Sequence, residues 1–258
     1  MRALWLTAGA VATVVALTIA TVGLWYGFAR ARTPTDVTMR SIPFDGAQVR
    51  IQAGKGQVSL TVLPGQAGEL LIQRALRWSR DRPTITEDWD AASATLRLDA
   101  VCPGSDQPRG PLCKADYIVT VPPETVLEAR TSGGELSAGE LFGDLRLTTV
   151  SGNVRVSALS GDLWVRTGTG QVDGDRLRSD RADVEVGSGD VRLDFQSAPS
   201  DVKAVVRTSG DVNLSVPPSL YDVTADGANT TIGVRRAGNA SRKITAKAPD
   251  GVVTVCCR

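Results

Sequence analysis

Asp183, Asp190 and Asp211 recur at related places in a repeated phrase, and carboxylates can act in pairs without any other titratable partner. In glycoside cleavage one protonates the leaving oxygen while the other attacks the sugar or activates water. Such pairs would have to carry any acid–base work here, because none of the 258 residues is histidine. That absence removes Ser–His–Asp and Cys–His nucleophiles, histidine-ligated zinc and imidazole pH switching. Each of the three acids falls in a turn or at an outward strand position, where Asp forms turns and keeps a surface soluble. No catalytic residue is therefore assigned. No metal ligand or cofactor is expected either, since neither a CxxC pair nor the calcium nonapeptide GGxGxDxUx is present.

Four cysteines complete the inventory of reactive groups. Cys102 and Cys113 bracket the loop CPGSDQPRGPLC, rich in Pro, Gly and charge. In an exported chain this spacing reads as a disulfide, whereas a reducing compartment would leave two free thiols. Cys256 and Cys257 are adjacent near the end of the sequence. One follows Val253 and Val255 in core phase and the other points outward, with no basis for choosing between a link to another chain and a stray thiol.

The elements that position these groups are repeats. The phrases RTSGGELSA, TTVSGNVRV, RTGTGQVDG, EVGSGDVRL, RTSGDVNL and KAPDGVVTV share Gly134, Gly152, Gly170, Gly189, Gly210 and Gly251, separated by 18, 18, 19, 21 and 41 residues. The last interval is two periods, with a copy lost near Thr230. Half a period earlier runs a second phrase, GDLRL, GDLWV, ADVEV, DVKAVV, YDVTA and KITA, so each repeat holds two strands and two turns. Strand side chains alternate, and G-x-V-x-V turns two apolar groups to one face. The inward ladder is Val154, Val172, Val191, Val212 and Val253, joined by Leu145, Leu147, Leu163, Val165, Val184 and Val186. Arg146, Arg155, Trp164, Glu185, Arg192 and Asn213 point outward. Gly before a strand suits a turn with positive φ, and the following Asp or Asn can accept a turn hydrogen bond.

One narrow apolar stripe cannot be buried alone, but stacked repeats share a core. The fold expected is all-β, a parallel β-solenoid of about seven coils of 18–21 residues, on the order of 35 Å long. An antiparallel β-sandwich of the same strands is the alternative. Residues 131–258 form the regular repeats. Residues 46–130 read as an irregular β capping region of the same domain that carries the cysteine loop, with Gly56 in the repeat's glycine position.

Ahead of this domain, residues 3–28 carry no charge. A run of that length spans the ~30 Å hydrocarbon layer as a helix, and Trp5 and Trp25 would lie about 30 Å apart, near the two interfaces. Residues 1–29 are read as a single-pass membrane anchor and residues 30–45 as a juxtamembrane linker. Ala29-Arg30-Ala31 leaves a cleaved signal peptide as the alternative. Positive charge gives near-balanced flanks, and the cysteines favour a cytoplasmic N-terminus with the C-terminal domain outside. Gly23 and Gly27 have small-xxx-small spacing, which ordinary glycine content of membrane helices also explains.

Net charge is +1, yet removing Arg2, Arg30 and Arg32 leaves 26 basic against 28 acidic residues. Such a body lacks the charge for phosphate neutralisation, and no nucleic-acid partner is expected. Asn229-Thr230-Thr231 and Asn239-Ala240-Ser241 are glycan acceptor triplets, relevant only in a glycosylating host.

The phrase S-G-D-V-x-L at Ser188–Leu193 and Ser209–Leu214, the Val-Pro pairs at 121–122 and 216–217 and the Cys102/Cys113 loop resemble the bacterial putative-adhesin family of β-strand-repeat domains of unknown function. The resemblance covers roughly residues 40–255, and the chain departs from it near Thr230 and at Cys256-Cys257. It implies the repeat architecture and transfers no catalytic or ligand residue. The expected role is a non-enzymatic envelope protein, anchored in the membrane and presenting a surface to cell-wall glycan or an envelope protein. A polysaccharide-acting enzyme and an envelope-stress signalling accessory are the alternatives, and oligomeric state is open.

Overall fold

Alternation of apolar and polar residues sets strands along nearly the whole domain. The structure is a computed structural model that describes residues 13–25, 34–54, 56–105, 107 and 110–257. The chain divides into two units, residues 1–34 and 35–258.

In the first unit, residues 13–25 form helix α1, every residue of it exposed. Among the described residues no helix is long and apolar enough to cross a membrane. At 1.5 Å per residue α1 covers about 20 Å, less than a hydrocarbon layer. The rest of the apolar run, with Trp5, Tyr26, Gly27 and Ala29-Arg30-Ala31, lies outside the described residues.

The second unit begins with β1 (Thr35–Phe44), β2 (Gln48–Ala53), β3 (Gln57–Pro64), β4 (Gly68–Trp78), β5 (Thr84–Asp90), β6 (Thr95–Val101) and β7 (Cys113–Val121). Paired short strands follow: β8 (Val126–Gly133), β9 (Leu136–Gly139), β10 (Leu145–Ser151), β11 (Val154–Ser157), β12 (Leu163–Thr169), β13 (Val172–Leu177), β14 (Arg181–Ser188), β15 (Val191–Phe195), β16 (Asp201–Ser209) and β17 (Val212–Val216). The chain closes with β18 (Leu220–Ile232), β19 (Arg235–Arg236) and β20 (Arg242–Cys257).

These strands form a parallel β-solenoid. The first strands of successive coils pair in parallel in the spatial order β6, β2, β8, β10, β12, β14, β16, β20, β18. The second strands follow the same stack as β7, β3, β9, β11, β13, β15, β17, then the distal parts of β20 and β18. Among the described residues nine layers result, about 38 Å from first to last at ~4.8 Å spacing. Two more layers are present than the glycine phrase marks. They come from β2–β3 and β6–β7, whose inward residues alternate like the others but lack the phrase.

The order of layers departs from the order of sequence at both ends. The pair β2–β3 lies between β6–β7 and β8–β9, and β20 lies between β16–β17 and β18. The doubled interval before Gly251 thus marks an excursion: the chain builds the outermost layer with β18 and then returns to insert β20 beneath it. Thr230 does occupy a rung, paired with Val253, but as the last rung it is exposed. A polar residue suits that place, because no further layer covers it.

The core is a set of ladders. Tyr117, Leu60, Leu136, Val154, Val172, Val191, Val212 and Val253 meet in successive register, and each is at most 1% exposed. A second ladder of Leu96, Ile51, Ala129, Leu147, Val165, Val184, Ala204 and Ala246 runs beside it, equally buried.

The first-layer end is sheathed by antiparallel strands. β6 pairs with β5, and β7 pairs with β4, which pairs with β1. Residues 35–44, read from sequence as linker, are therefore strand β1. Ile42 and Phe44 are buried, and Phe44 meets Trp89 edge-on at 6.0 Å between ring centroids. Between these strands Arg74, 9% exposed, forms an ion pair with Glu87. Among the described residues antiparallel pairing is confined to this end, so the sandwich alternative does not describe the repeat.

Candidate functional site

Glycine is required at the repeat turns by close approach between coils. A Cβ on Gly152 would lie 1.9 Å from the carbonyl oxygen of Gly134, on Gly170 2.2 Å from that of Gly152, and on Gly189 2.1 Å from that of Gly170. Gly210 and Gly251 continue the column, at 2.2 and 2.0 Å from the preceding glycine oxygen. φ is positive at Gly134, Gly152, Gly170, Gly189 and Gly210, and the φ of Gly251 is not among the positive ones, so contact alone selects glycine there. Gly56 does not join this column. Register places Val58 beside Gly134, and a Cβ on Gly56 would instead meet the Ala100 carbonyl at 2.2 Å.

The turn acids are occupied by the backbone of the neighbouring coil. Asp190 Oδ1 accepts from the Asp211 N–H at 3.0 Å, Asp211 Oδ1 from Val252 N–H at 2.8 Å, and Asn153 Oδ1 from Gln171 N–H at 3.0 Å. The opposite turns repeat the device, with Asp144 accepting from Asp162 N–H at 2.8 Å and Asp162 from Arg181 N–H at 3.2 Å. The expected turn hydrogen bonds thus run between coils. Asp190 and Asp211 line one shallow depression, while Asp183 lies on the face formed by first strands, among different neighbours. The three acids do not converge on one cleft. Among the described residues no group of three acids or cysteines could hold a metal ion.

Cys102 and Cys113 form a disulfide with Cα atoms 5.9 Å apart. Cys256 and Cys257 are exposed free thiols.

A groove of about 640 Å³ runs across the outer face of β2, β8, β10, β12, β14 and β16. Strand alternation builds its floor. One outward rung row runs Arg50, Glu128, Arg146, Trp164, Asp183 and Lys203 across the strands. Trp164 is half-buried, with the Arg146 guanidinium 5.0 Å and that of Arg166 4.3 Å from its ring centroid. Arg166 is also held by Asp183 at 2.8 Å and Glu185 at 3.6 Å. Arg50 pairs with Glu128 at 3.3 Å and Lys203 with Asp183 at 3.7 Å. Arg146 and Arg181 have no ion-pair partner among the described residues. Sequence reasoning placed Trp164 outward but passed over the groove. The available signal was a single large aromatic in an otherwise charged outward row.

Electrostatics on this face stabilise anions. The hydrogen bond from Arg207 holds Glu185 below its ordinary 4.5, against partial burial and helped by the charges of Arg207, Arg166 and Lys203. Burial pushes Glu128 up, but Arg130 and Arg50 outweigh it and leave its carboxyl lowered. Both carboxylates stay ionised, the opposite of what a proton donor at neutral pH requires.

A family model described as Toastrack DUF4097 matches residues 33–256. Among solved structures, a putative adhesin from Bacteroides fragilis is similar at 12% identity and TM-score 0.45, over 86% of this chain and 97% of that one. A putative adhesin from Parabacteroides distasonis is similar at 13% identity and TM-score 0.43, over 85% and 97%. A putative cell adhesion protein from Clostridium sporogenes is similar at 12% identity and TM-score 0.41, over 87% and 100%. Among curated proteins none matches the sequence.

Proposed function

The chain belongs to the Toastrack DUF4097 family, and from that premise we propose that it is a non-enzymatic envelope protein, tethered in the membrane and presenting its solenoid face to cell-wall glycan or an envelope protein. The observation that carries this reading is how the outward acids are used. Asp190, Asp211, Asp144 and Asp162 accept backbone N–H groups of the next coil, and Asp183 and Glu185 are ion-paired. Acids committed this way rigidify a surface, and none of these six is placed as a proton donor for catalysis.

The Cys102–Cys113 disulfide supports placement of the domain outside the cytoplasm, where such bonds persist. The exposed apolar side chains of α1, among them Val14, Leu17, Ile19 and Leu24, support a lipid environment for that segment, because a helix apolar on all sides has no water-facing stripe. In this orientation the N-terminus is cytoplasmic and residues 35–258 face outward.

The test is retention of the full-length chain, in detergent micelles, on purified cell-wall sacculi and on a glycan array. Specific retention on either is expected. Blank results on both, alongside turnover of any glycan offered, would replace this reading with the enzymatic one. Protease added to intact cells should degrade residues 35–258, and protection there would contradict the orientation.

A further inference from the structure

We infer that β1 is a dimerisation edge, pairing antiparallel with β1 of a second copy of this chain about a two-fold axis through Thr38. The inference goes beyond the surface-presentation reading and does not depend on it.

The edge is open and its unpaired backbone groups can be named. Among the described residues β1 pairs with β4 alone, and six of the seven residues from 35 to 41 are exposed. Across the ladder between β4 and β7, the Ser79 N–H donates to the Leu112 carbonyl at 3.1 Å, in register with Trp78 opposite Cys113. Backbone groups alternate along a strand, so odd-numbered residues of β4 bond toward β7 and even-numbered ones toward β1. The β1 residues facing the even set are Asp36, Thr38 and Arg40. Thr35, Val37, Met39 and Ser41 therefore turn their N–H and C=O groups to the open edge. Pro43 falls in the same outward set, where the β1–β4 ladder needs no donor.

The side chains select the occupant. Outward residues of two antiparallel edges must face one another, which allows only alternate registers. With Thr38 on the axis, Asp36 faces Arg40 of the second copy, Val37 faces Met39 and Thr35 faces Ser41, each twice. An axis at residue 36 or 40 would oppose two like charges, and one at 37 or 39 would lose both charge pairs. The groups are available for this pairing. Val37 and Met39 are 74% and 65% exposed, and the axis would gather them into an apolar cluster of four. Arg40 has no ion-pair partner among the described residues and reaches only the Glu87 carbonyl, at 3.4 Å. Asp36 holds Arg82 and Arg74 through Oδ2, which leaves Oδ1 for a guanidinium from across the axis. An edge complementary to itself in charge and polarity fits an isologous contact between identical chains. One short strand pair buries less than the ~1,000 Å² of a standard interface, so micromolar rather than nanomolar self-association is expected.

The experiment uses the full-length chain in detergent micelles, with Cys256→Ser and Cys257→Ser so that no exposed thiol competes. Thr38→Cys should cross-link to a covalent dimer under copper–phenanthroline oxidation, because directly opposed residues of this kind bring Cα atoms to about 4.5 Å. Ser41→Cys should not, since its counterpart would lie about 20 Å along the ladder. In sedimentation equilibrium the parent should dimerise, and Arg40→Glu and Asp36→Lys should each weaken the dimer about ten-fold or more. Mixing these two variants should restore association to within about three-fold of the parent, because both charge pairs are again opposite in sign. Should either variant misfold, Thr38→Cys against Ser41→Cys decides alone.

A parent that stays monomeric up to about 0.5 mM would overturn the inference. So would equal cross-linking at both introduced cysteines, which would mean random collision. A dimer unweakened by Arg40→Glu and not cross-linked by Thr38→Cys would place the contact on another surface and overturn it too, as would folded charge variants that fail to associate when mixed.

Discussion

At the scale of single residues, the turn glycines and the outward carboxylates carry the clearest consequences. Gly170→Ala would force a Cβ to 2.2 Å from the Gly152 carbonyl at φ +130°, and should cost about 2–4 kcal/mol in denaturant unfolding. Gly238→Ala, where nothing lies within 4 Å, should leave the midpoint essentially unmoved. Equal effects from the two would remove close approach as the reason for the glycine column. Glu185 sets a pH dependence. Its carboxyl is held below 4.5 in the fold, chiefly by Arg207, so it contributes stability that is fully present above about pH 4.5 and lost as pH falls through the lower folded value. Melting temperature should therefore decline on acidification below that point, and less steeply in Glu185→Gln. An unchanged acid slope in that variant would show that the Arg207 contact contributes no linkage.

At the scale of elements, legibility followed the glycine phrase. Val154, Val172, Val191 and Val212 could be aligned from the sequence because each follows the same turn, and the structure puts them in consecutive register. β2–β3 was legible as an early coil by its alternation around Gly56, although Gly56 itself stands outside the glycine column, whereas β6–β7 has equally good alternation but no repeated turn and read only as strands of a cap. β1 was hidden for a different reason. Only Ile42 and Phe44 of its ten residues are buried, and a half-exposed edge strand with Thr, Arg and Pro has the composition of a linker. The groove was illegible because its residues come from six strands far apart in the chain, and only the three-dimensional register brings Arg50 beside Glu128 and Trp164 beside Asp183. The disulfide is an element-level device, closing the loop between β6 and β7, the outermost layer at its end. Replacing Cys102 and Cys113 by Ser should lower stability by about 2–3 kcal/mol. Loss should fall first on β4–β7, visible as faster hydrogen exchange there while β10–β15 stay protected. Uniform loosening would mean that this end is not a separable part of the column.

At the scale of the molecule, both ends of the column solve the same problem. An open solenoid end exposes unpaired backbone and core, which invites association with other chains. Here an internal segment is placed outermost at each end and a segment nearer the limit of the domain is inserted under it: β2–β3 under β6–β7, and β20 under β18. The polar rung at Thr230 and the register shift between Gly227 and Asn229 then blunt the last layer. This arrangement lets a stack of nine narrow layers rely on Val, Leu and Ala with few aromatics, since every internal layer is covered on both sides. Amide hydrogen exchange on β18 and β20 tests the layer order most directly. With β20 inserted, residues 242–257 should be protected along both directions of bonding, comparably to β16 and β17, and alternate amides of β18 should exchange much faster. If instead 242–257 exchange fastest and 220–232 are protected throughout, the coils follow chain order and the column described here is wrong.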